Sequence, residues 1–251
     1  MWPSGLAACA YYELAEERGS GTPGVVCETF APPPSALVLA NQLLLAIDPA
    51  YPGESGRRYM VSEHTVDAVS QAVTLLQPPP APWMAGIPAG IASAMDVFTG
   101  YVILDAWIAN QDRHHENWGV LLSNDTLRLA PTFDHGASLA RNLPDAERQD
   151  RLTTRDQGRT VARFVRRARS AFYADASVSR PLTTVQAWRA FATRATGAAT
   201  AWLARLNGIN DDTIRGVVEE VPTHRMSRIC RDFTMALLIE NRRRLLANED
   251  E

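Results

Sequence analysis

The sequence contains no lysine; all 25 of its basic residues are arginine. A mechanism that needs a lysine cannot be completed by these 251 residues alone. Cysteine is scarce too. Cys9, Cys27 and Cys230 lie far apart with no paired spacing, which argues against a disulfide framework or a zinc knuckle and for a reduced, cytoplasmic setting. Cys9 and Cys27 are expected to be small core residues. There is no excess of basic charge: 28 acidic residues leave a formal net charge of −3, against general nucleic-acid binding, where basic charge supplies most of the affinity. No apolar run is long enough to span a bilayer. The longest, residues 36–47, is interrupted by Asn41 and Gln42. The first residues lack a positive start and a sustained apolar core and turn acidic by Glu13, so no targeting segment is expected and the protein is expected to be soluble.

The sequence does hold enough apolar residues, 46%, for one large helical domain or a small lobe joined to a larger one. Residues 6–18 predict a short helix ended by Gly19 and Gly21. Residues 24–30 and 36–45 predict two strands separated by prolines 32–34. A helix is expected over 63–76, with Ser62 as cap and Val66, Val69, Val73 and Leu76 on one face. The run QPPPAPW (77–83) breaks the chain. Residues 94–109 are apolar on nearly every side, as in a helix buried in the middle of a domain. WGVLLS (118–123) and LRLAPTF (127–133), around Asn124 and Asp125, predict a β-hairpin. Beyond Arg141 the chain looks helical, including an amphipathic stretch over 160–173 with Arg159, Arg163, Arg166 and Arg167 on its polar face, and a last helix after Ser227.

The polar segment NQDRHHEN (110–117) and the hairpin after it carry the chemistry. A register that sets Ser123 opposite Arg128 and Trp118 opposite Phe133 puts Asn117 and Asp134 side by side at the open end, with Asp112 within reach. Amide and carboxylate oxygens suit magnesium, a hard cation that keeps sites for water and phosphate. Phosphoryl transfer needs that charge neutralisation together with an aspartate that orients or deprotonates the attacking hydroxyl. Protein kinases use an Asp-to-Asn loop with a spacing of five, then a metal-binding Asp after a short hairpin. Asp112, Asn117 and Asp134 match that layout.

ANQDRHHENWGVLL followed by LAPTFDHGASL resembles the catalytic and metal-binding segments of HipA-like kinases, the toxin kinases of bacterial toxin–antitoxin systems. The DRHxxN core is also similar to that of phosphatidylinositol kinases, which share the atypical kinase fold, and the ending 221–246 resembles the family's closing helices. The resemblance implies an α+β, mostly helical kinase C-lobe over 51–251 and a partial N-lobe remnant, a helix plus two strands, over 1–50. It implies Asp112 as the catalytic aspartate, Asn117 and Asp134 as magnesium ligands, and ATP as the phosphoryl donor. His135 and Gly136 stand where Phe and Gly follow the metal-binding Asp in kinases. A protein acceptor, with translation factors among the possible targets, and an antitoxin partner are implied by the resemblance alone.

The family's N-lobe carries a phosphate-binding loop and a strand lysine. Residues 1–50 hold no Gly-rich strand-turn-strand, and the lysine is absent. A start placed too late, a separate chain that completes the lobe, and a degenerate kinase acting as a binding module all remain open. A zinc or iron hydrolase built on His114, His115 and His135 with Asp112 and Asp134 is a further alternative, disfavoured because no recognised ligand spacing is present. Arg113 and His114 are expected to brace the loop, Arg113 by forked pairing with a carboxylate. Asp105, in an apolar helix, needs a partner and is expected to bond the loop at 110–113. The arginines of 159–169 and of 242–244 are expected to be solvated faces.

Overall fold

The computed structural model describes residues 7–54 and 59–247. The described residues form a mixed α+β fold with small sheets. In chain order they comprise β1 (Tyr12–Glu16), β2 (Pro23–Cys27), β3 (Ala36–Leu39), α1 (Ala40–Ile47), α2 (Val66–Thr74), α3 (Ala81–Met84), α4 (Ala94–Trp107), β4 (Gly119–Ser123) and β5 (Thr126–Leu129). Then follow α5 (Asp145–Thr153), α6 (Val161–Val165), α7 (Thr184–Ala192), α8 (Thr196–Asn207), α9 (Asp211–Glu220) and α10 (Arg228–Ala247).

α4 is the helix around which the rest packs. Its sequence has apolar residues on all sides, and twelve of its fourteen residues are buried, as expected of a helix surrounded by others. A reciprocal capping box starts it: Ser93 Oγ accepts from Asp96 N (3.1 Å), and Asp96 Oδ2 accepts from Ser93 N (2.9 Å). At its far end Trp107 Nε1 donates to Leu238 O, and Asn241 Nδ2 donates to Trp107 O, both at 3.0 Å, so α10 grips the end of α4. α8 comes so close that a Cβ on Gly100 would lie 2.5 Å from the Trp202 indole carbons.

The three-stranded antiparallel sheet has the order β3-β4-β5. Gly119 lets β3 approach: a Cβ there would sit 2.4 Å from Val38 O. The β4–β5 turn has two residues, Asn124 and Asp125, both at positive φ (47° and 58°), the two-residue turn whose twist suits a hairpin. Ser123 therefore pairs with Thr126 and Leu121 with Arg128, a register two positions from the one expected. Because strand side chains alternate with period two, the shift leaves the same residues facing the core.

Several other expectations are corrected. Residues 12–16 are a strand where a helix over 6–18 was expected. Pairing of Tyr12 with Cys27 and of Leu14 with Val25 overrides the helix-forming Ala-Glu-Glu run, and Gly19 and Gly21, at φ 107° and 67°, belong to the turn between β1 and β2. The strand expected over 36–45 ends at Leu39, after which Ala40, Leu43 and Leu44 turn their helical face into the core. α2 is capped by Thr65, whose Oγ1 accepts from Ala68 N (3.1 Å), and not by Ser62. Gln77 of the proline run is tied to β5 by Gln77 N–Leu127 O (3.0 Å) and Leu129 N–Gln77 O (2.9 Å). The amphipathic helix expected over 160–173 lasts only from Val161 to Val165. Ser170 Oγ accepts from Phe172 N, and Ser170 N donates to Leu182 O, drawing the backbone into an extended pairing. Cys9 and Cys27 are exposed, not core.

Gly100→Ala is expected to destabilise the protein by about 1–3 kcal/mol, because Trp202 must leave its place and its Nε1 bond to Asp96 O (2.8 Å). Chemical denaturation monitored by tryptophan fluorescence measures this, and an unchanged midpoint would contradict the close approach.

Candidate active site

The site is built from the C-terminal end of α4. The helix stops at Ile108, and Ala109 takes a left-handed conformation (φ 53°) with Asn110 N bonded back to Asp105 O at 2.8 Å, the closing bond of a Schellman-type ending. That reversal returns the loop over Asp105, which is 4% exposed. Asp105 Oδ1 accepts from Asn110 Nδ2 and Arg113 Nη2, and Oδ2 accepts from Arg113 Nε, all at 2.8 Å. Asn110 Oδ1 in turn accepts from Asp112 N (3.1 Å). The carboxylate in the apolar helix thus shapes the loop at 110–113.

Arg113 is 1% exposed. With two guanidinium nitrogens on Asp105, its Nη1 reaches Asn117 O (2.7 Å) and Phe133 O (3.4 Å). One buried cation therefore joins the 110–117 loop to the segment that carries Asp134. Burial works against the charge, but attraction and hydrogen bonding to Asp105 outweigh it and raise the Arg113 pKa. The strand register does not set Asn117 beside Asp134 as expected from the sequence; what links the two segments is the arginine fork, through the carbonyls of Asn117 and Phe133.

Asp112 is half-buried, and its Oδ1 lies 3.6 Å from His114 Nε2. Its carbonyl accepts from Asn117 Nδ2 (2.7 Å), which fixes the amide nitrogen of Asn117 and turns Oδ1 to the other side. His114 Nδ1 accepts from Glu116 N (3.1 Å). Asp134 is exposed at φ 52°, and its N–H donates to the Tyr12 hydroxyl (3.0 Å). His135 turns inward, its Nε2 2.9 Å from Thr132 Oγ1. Burial, with Arg113 nearby, lowers its pKa to about 4.

Sequence reasoning missed the tie from Tyr12 to Asp134, 122 residues apart, and a layer of rings behind the loop. His64, 1% exposed, accepts from Trp118 Nε1 at its Nε2 (3.2 Å). Indole N–H can only donate, so His64 Nδ1 carries the proton and donates to Ala171 O (3.0 Å). His64 is neutral, and burial lowers its pKa to about 3. His115, also buried, meets the Tyr51 hydroxyl through Nδ1 (2.9 Å). Among the described residues no group of three or more His, Cys, Asp or Glu could hold a metal ion, so the histidine-rich hydrolase centre is not assembled there.

The fold that carries this site is kinase-like. Among solved structures the chain is similar to the Helicobacter pylori proinflammatory kinase CtkA, at 19% identity over 98% of this chain and 80% of that chain, with a TM-score of 0.68. No protein-family model matches the chain, and no curated protein matches it. The described residues contain no helix long and apolar enough to cross a membrane.

Asp105→Ala is expected to cost about 3–5 kcal/mol, because it strands a buried guanidinium; urea denaturation at neutral pH measures it, and a loss below about 1 kcal/mol contradicts the central role of this pair. Acid should weaken the fold as well. The folded pKa values of His64 and His135, about 3 and about 4, lie below the free value of 6.5, so the unfolded chain binds protons more tightly. Their contribution is complete above about pH 6.5 and is lost as the pH falls toward 4 and then 3. His64 alone can account for a slope of up to about 1.4 kcal/mol per pH unit in that window. His64→Gln should flatten the stability curve between pH 6.5 and 5, and parallel curves for variant and parent contradict a neutral buried His64.

Proposed function

We propose that the chain is a HipA-like Ser/Thr kinase domain that transfers the γ-phosphoryl group of ATP to a protein hydroxyl with magnesium. The observation that carries the proposal is the bridge made by Arg113 between Asn117 O and Phe133 O. It holds the loop bearing Asp112 and Asn117 against the segment bearing Asp134, the juxtaposition that phosphoryl transfer requires. The kinase-like fold supports the same reading.

The residues fit a hard cation. Asn117 has its amide nitrogen tied down and its oxygen turned away, and Asp134 offers a solvent-facing carboxylate, an all-oxygen set of the kind magnesium takes. When bound, magnesium supplies charge neutralisation on the phosphates. Asp112 orients the acceptor hydroxyl and takes its proton. His114, in contact with Asp112, and Arg113, locked on Asp105, position the loop, while His135 anchors the turn after Asp134 through Thr132. In this reading the β1–β2 hairpin belongs to the lobe over the nucleotide and the helices form the lobe beneath, in a cytoplasmic enzyme that works as the toxin of a toxin–antitoxin pair.

A second reading, a pseudokinase or split-kinase subunit that binds magnesium–ATP without turning it over, is favoured by the missing lysine. A phosphate-contacting lysine has to come from outside these residues, for instance from a chain that completes the N-lobe.

Phosphoryl transfer or autophosphorylation with magnesium–ATP is expected to fall at least ~100-fold in Asp112→Ala and in Asp134→Ala, with the thermal midpoint within a few degrees of the parent. Activity that survives both changes removes the assignment. Magnesium-dependent ATP binding without transfer in the parent, with transfer restored by a lysine-bearing partner, selects the second reading.

A further inference from the structure

The segment that follows Asp134 folds back on it. Leu139 and Ala140 stand at φ 55° and 53°, two consecutive left-handed residues, and for a bulky side chain such as leucine that conformation is a true outlier. Strain of this kind persists only where the surroundings over-determine it. Here Leu139 N donates to Ile108 O at the end of α4 (2.9 Å), and Arg141 N donates to Ser138 O (3.1 Å). Arg148, 8% exposed, donates through Nη2 to Ala140 O (3.2 Å) and Arg141 O (3.4 Å). The reversal returns the Arg141 side chain to Gly136, whose carbonyl accepts from Arg141 Nη1 (3.0 Å).

It brings a cation beside the carboxylate proposed for the metal. Arg141 Nη1 and Asp134 Oδ1 each lie 3.4 Å from the point a Gly136 Cβ would occupy, so they are no further apart than twice that distance. Among the described residues Arg141 forms no ion pair, and its one side-chain bond is to Gly136 O. Arg141 is exposed, and its other N–H donors face solvent. Arg113, the other guanidinium near Asp134, is committed to Asp105 and two carbonyls.

We propose that Arg141 binds the terminal phosphate of the nucleotide donor, next to the metal at Asp134. The inference rests on the kinase reading and adds to it a phosphate-binding cation in a chain without lysine. A phosphate oxygen shared by a carboxylate-bound magnesium and a guanidinium spans up to about 7 Å from carboxylate oxygen to guanidinium nitrogen, and Arg141 stands within that reach of Asp134. Direct pairing would compete with the ion for the carboxylate. The gap leaves Asp134 to the ion and Arg141 to the anion that the ion carries, and a planar fork of donors suits phosphate.

The test compares nucleotides that differ only in that phosphate. Binding of ATP and of ADP, each with magnesium, is measured by titration calorimetry on the full chain for the parent, Arg141→Gln and Arg141→Lys. Arg141→Gln keeps an N–H donor for Gly136 O but removes the charge. It should weaken ATP binding about tenfold or more and leave ADP within about twofold, the retained ADP binding reporting that the fold and the Asp134 turn are intact. Arg141→Lys, which keeps a phosphate-binding cation, should bind ATP several-fold more tightly than Arg141→Gln.

A loss confined to ATP and reduced by lysine supports the inference. Unchanged ATP affinity in Arg141→Gln overturns it. So does a loss shared equally by ATP and ADP, which assigns Arg141 to holding the turn through Gly136 O, and so does a loss that lysine does not reduce. In each of these cases ATP binding by the parent leaves the kinase reading standing. A parent that binds neither nucleotide and transfers no phosphate overturns the kinase reading, and the role of Arg141 with it.

Discussion

The buried pair Asp105–Arg113 is the interaction on which the site depends. Taking a carboxylate and a guanidinium out of water costs several kcal/mol each, recovered only when geometry is good and the remaining donors are satisfied. Here Arg113 places Nε and Nη2 on the two Asp105 oxygens and Nη1 on two carbonyls. Asn110 occupies a further lone pair of Asp105. An ammonium could not do this, because its donors do not form a planar fork that grips a carboxylate and reaches two loops at once. In a chain whose cations are all arginine, the one at the centre is used for its shape as much as its charge.

The pair holds its position because α4 does. Asp105 lies two residues from the end of a helix packed on all sides, capped at Ser93, pinned at Trp107 by α10 and approached at Gly100 by Trp202. The left-handed turn at Ala109 is the point where that rigidity passes to the loop. It costs about 1–2 kcal/mol for a residue with a Cβ, which the bond from Asn110 N to Asp105 O and burial of Ala109 offset. The loop at 110–117 is therefore an extension of the core rather than a flexible appendage.

What could be seen in the sequence follows from distance along the chain. The Asp112–Asn117 spacing and the need of Asp105 for a nearby partner are local, and the structure places Asp105 on Asn110 and Arg113. The buried helix at 94–107 and the last helix were legible because their apolar patterns are long. The hairpin register was missed because Asn124–Asp125 looks like part of a longer loop until both are seen at positive φ. The β1 strand was missed because a run of Ala and Glu favours a helix, and only its pairing with Val25 and Val26 decides otherwise. The His64–Trp118 bond spans 54 residues and the Tyr12–Asp134 bond 122; no spacing rule reaches that far.

The Tyr12 contact bears on how the site is held. A lone two-stranded ribbon is marginal in water, and β1–β2 leaves Leu14, Val25 and Val26 more than half exposed. Several ties fix it to the rest of the chain, among them the Arg225 guanidinium on Ala15 O and on Glu16 Oε1 (3.4 Å), the bond from Ala10 N to Thr132 O (2.9 Å) just before β1, and the Tyr12 hydroxyl accepting the Asp134 N–H. Asp134 is one of the few residue types that tolerate its left-handed φ, but tolerance sets no direction for its carboxylate. The hydroxyl of Tyr12 fixes the peptide group on which that carboxylate stands. Whatever shifts the ribbon thus reaches Asp134 through the Tyr12 hydroxyl and through the pairing of Ala8 and Ala10 with Thr132, two residues before it, while Arg113 holds the preceding carbonyl, Phe133 O. The carboxylate proposed for the metal thus stands on a backbone held on one side to the core by Arg113 and on the other to the ribbon by Tyr12.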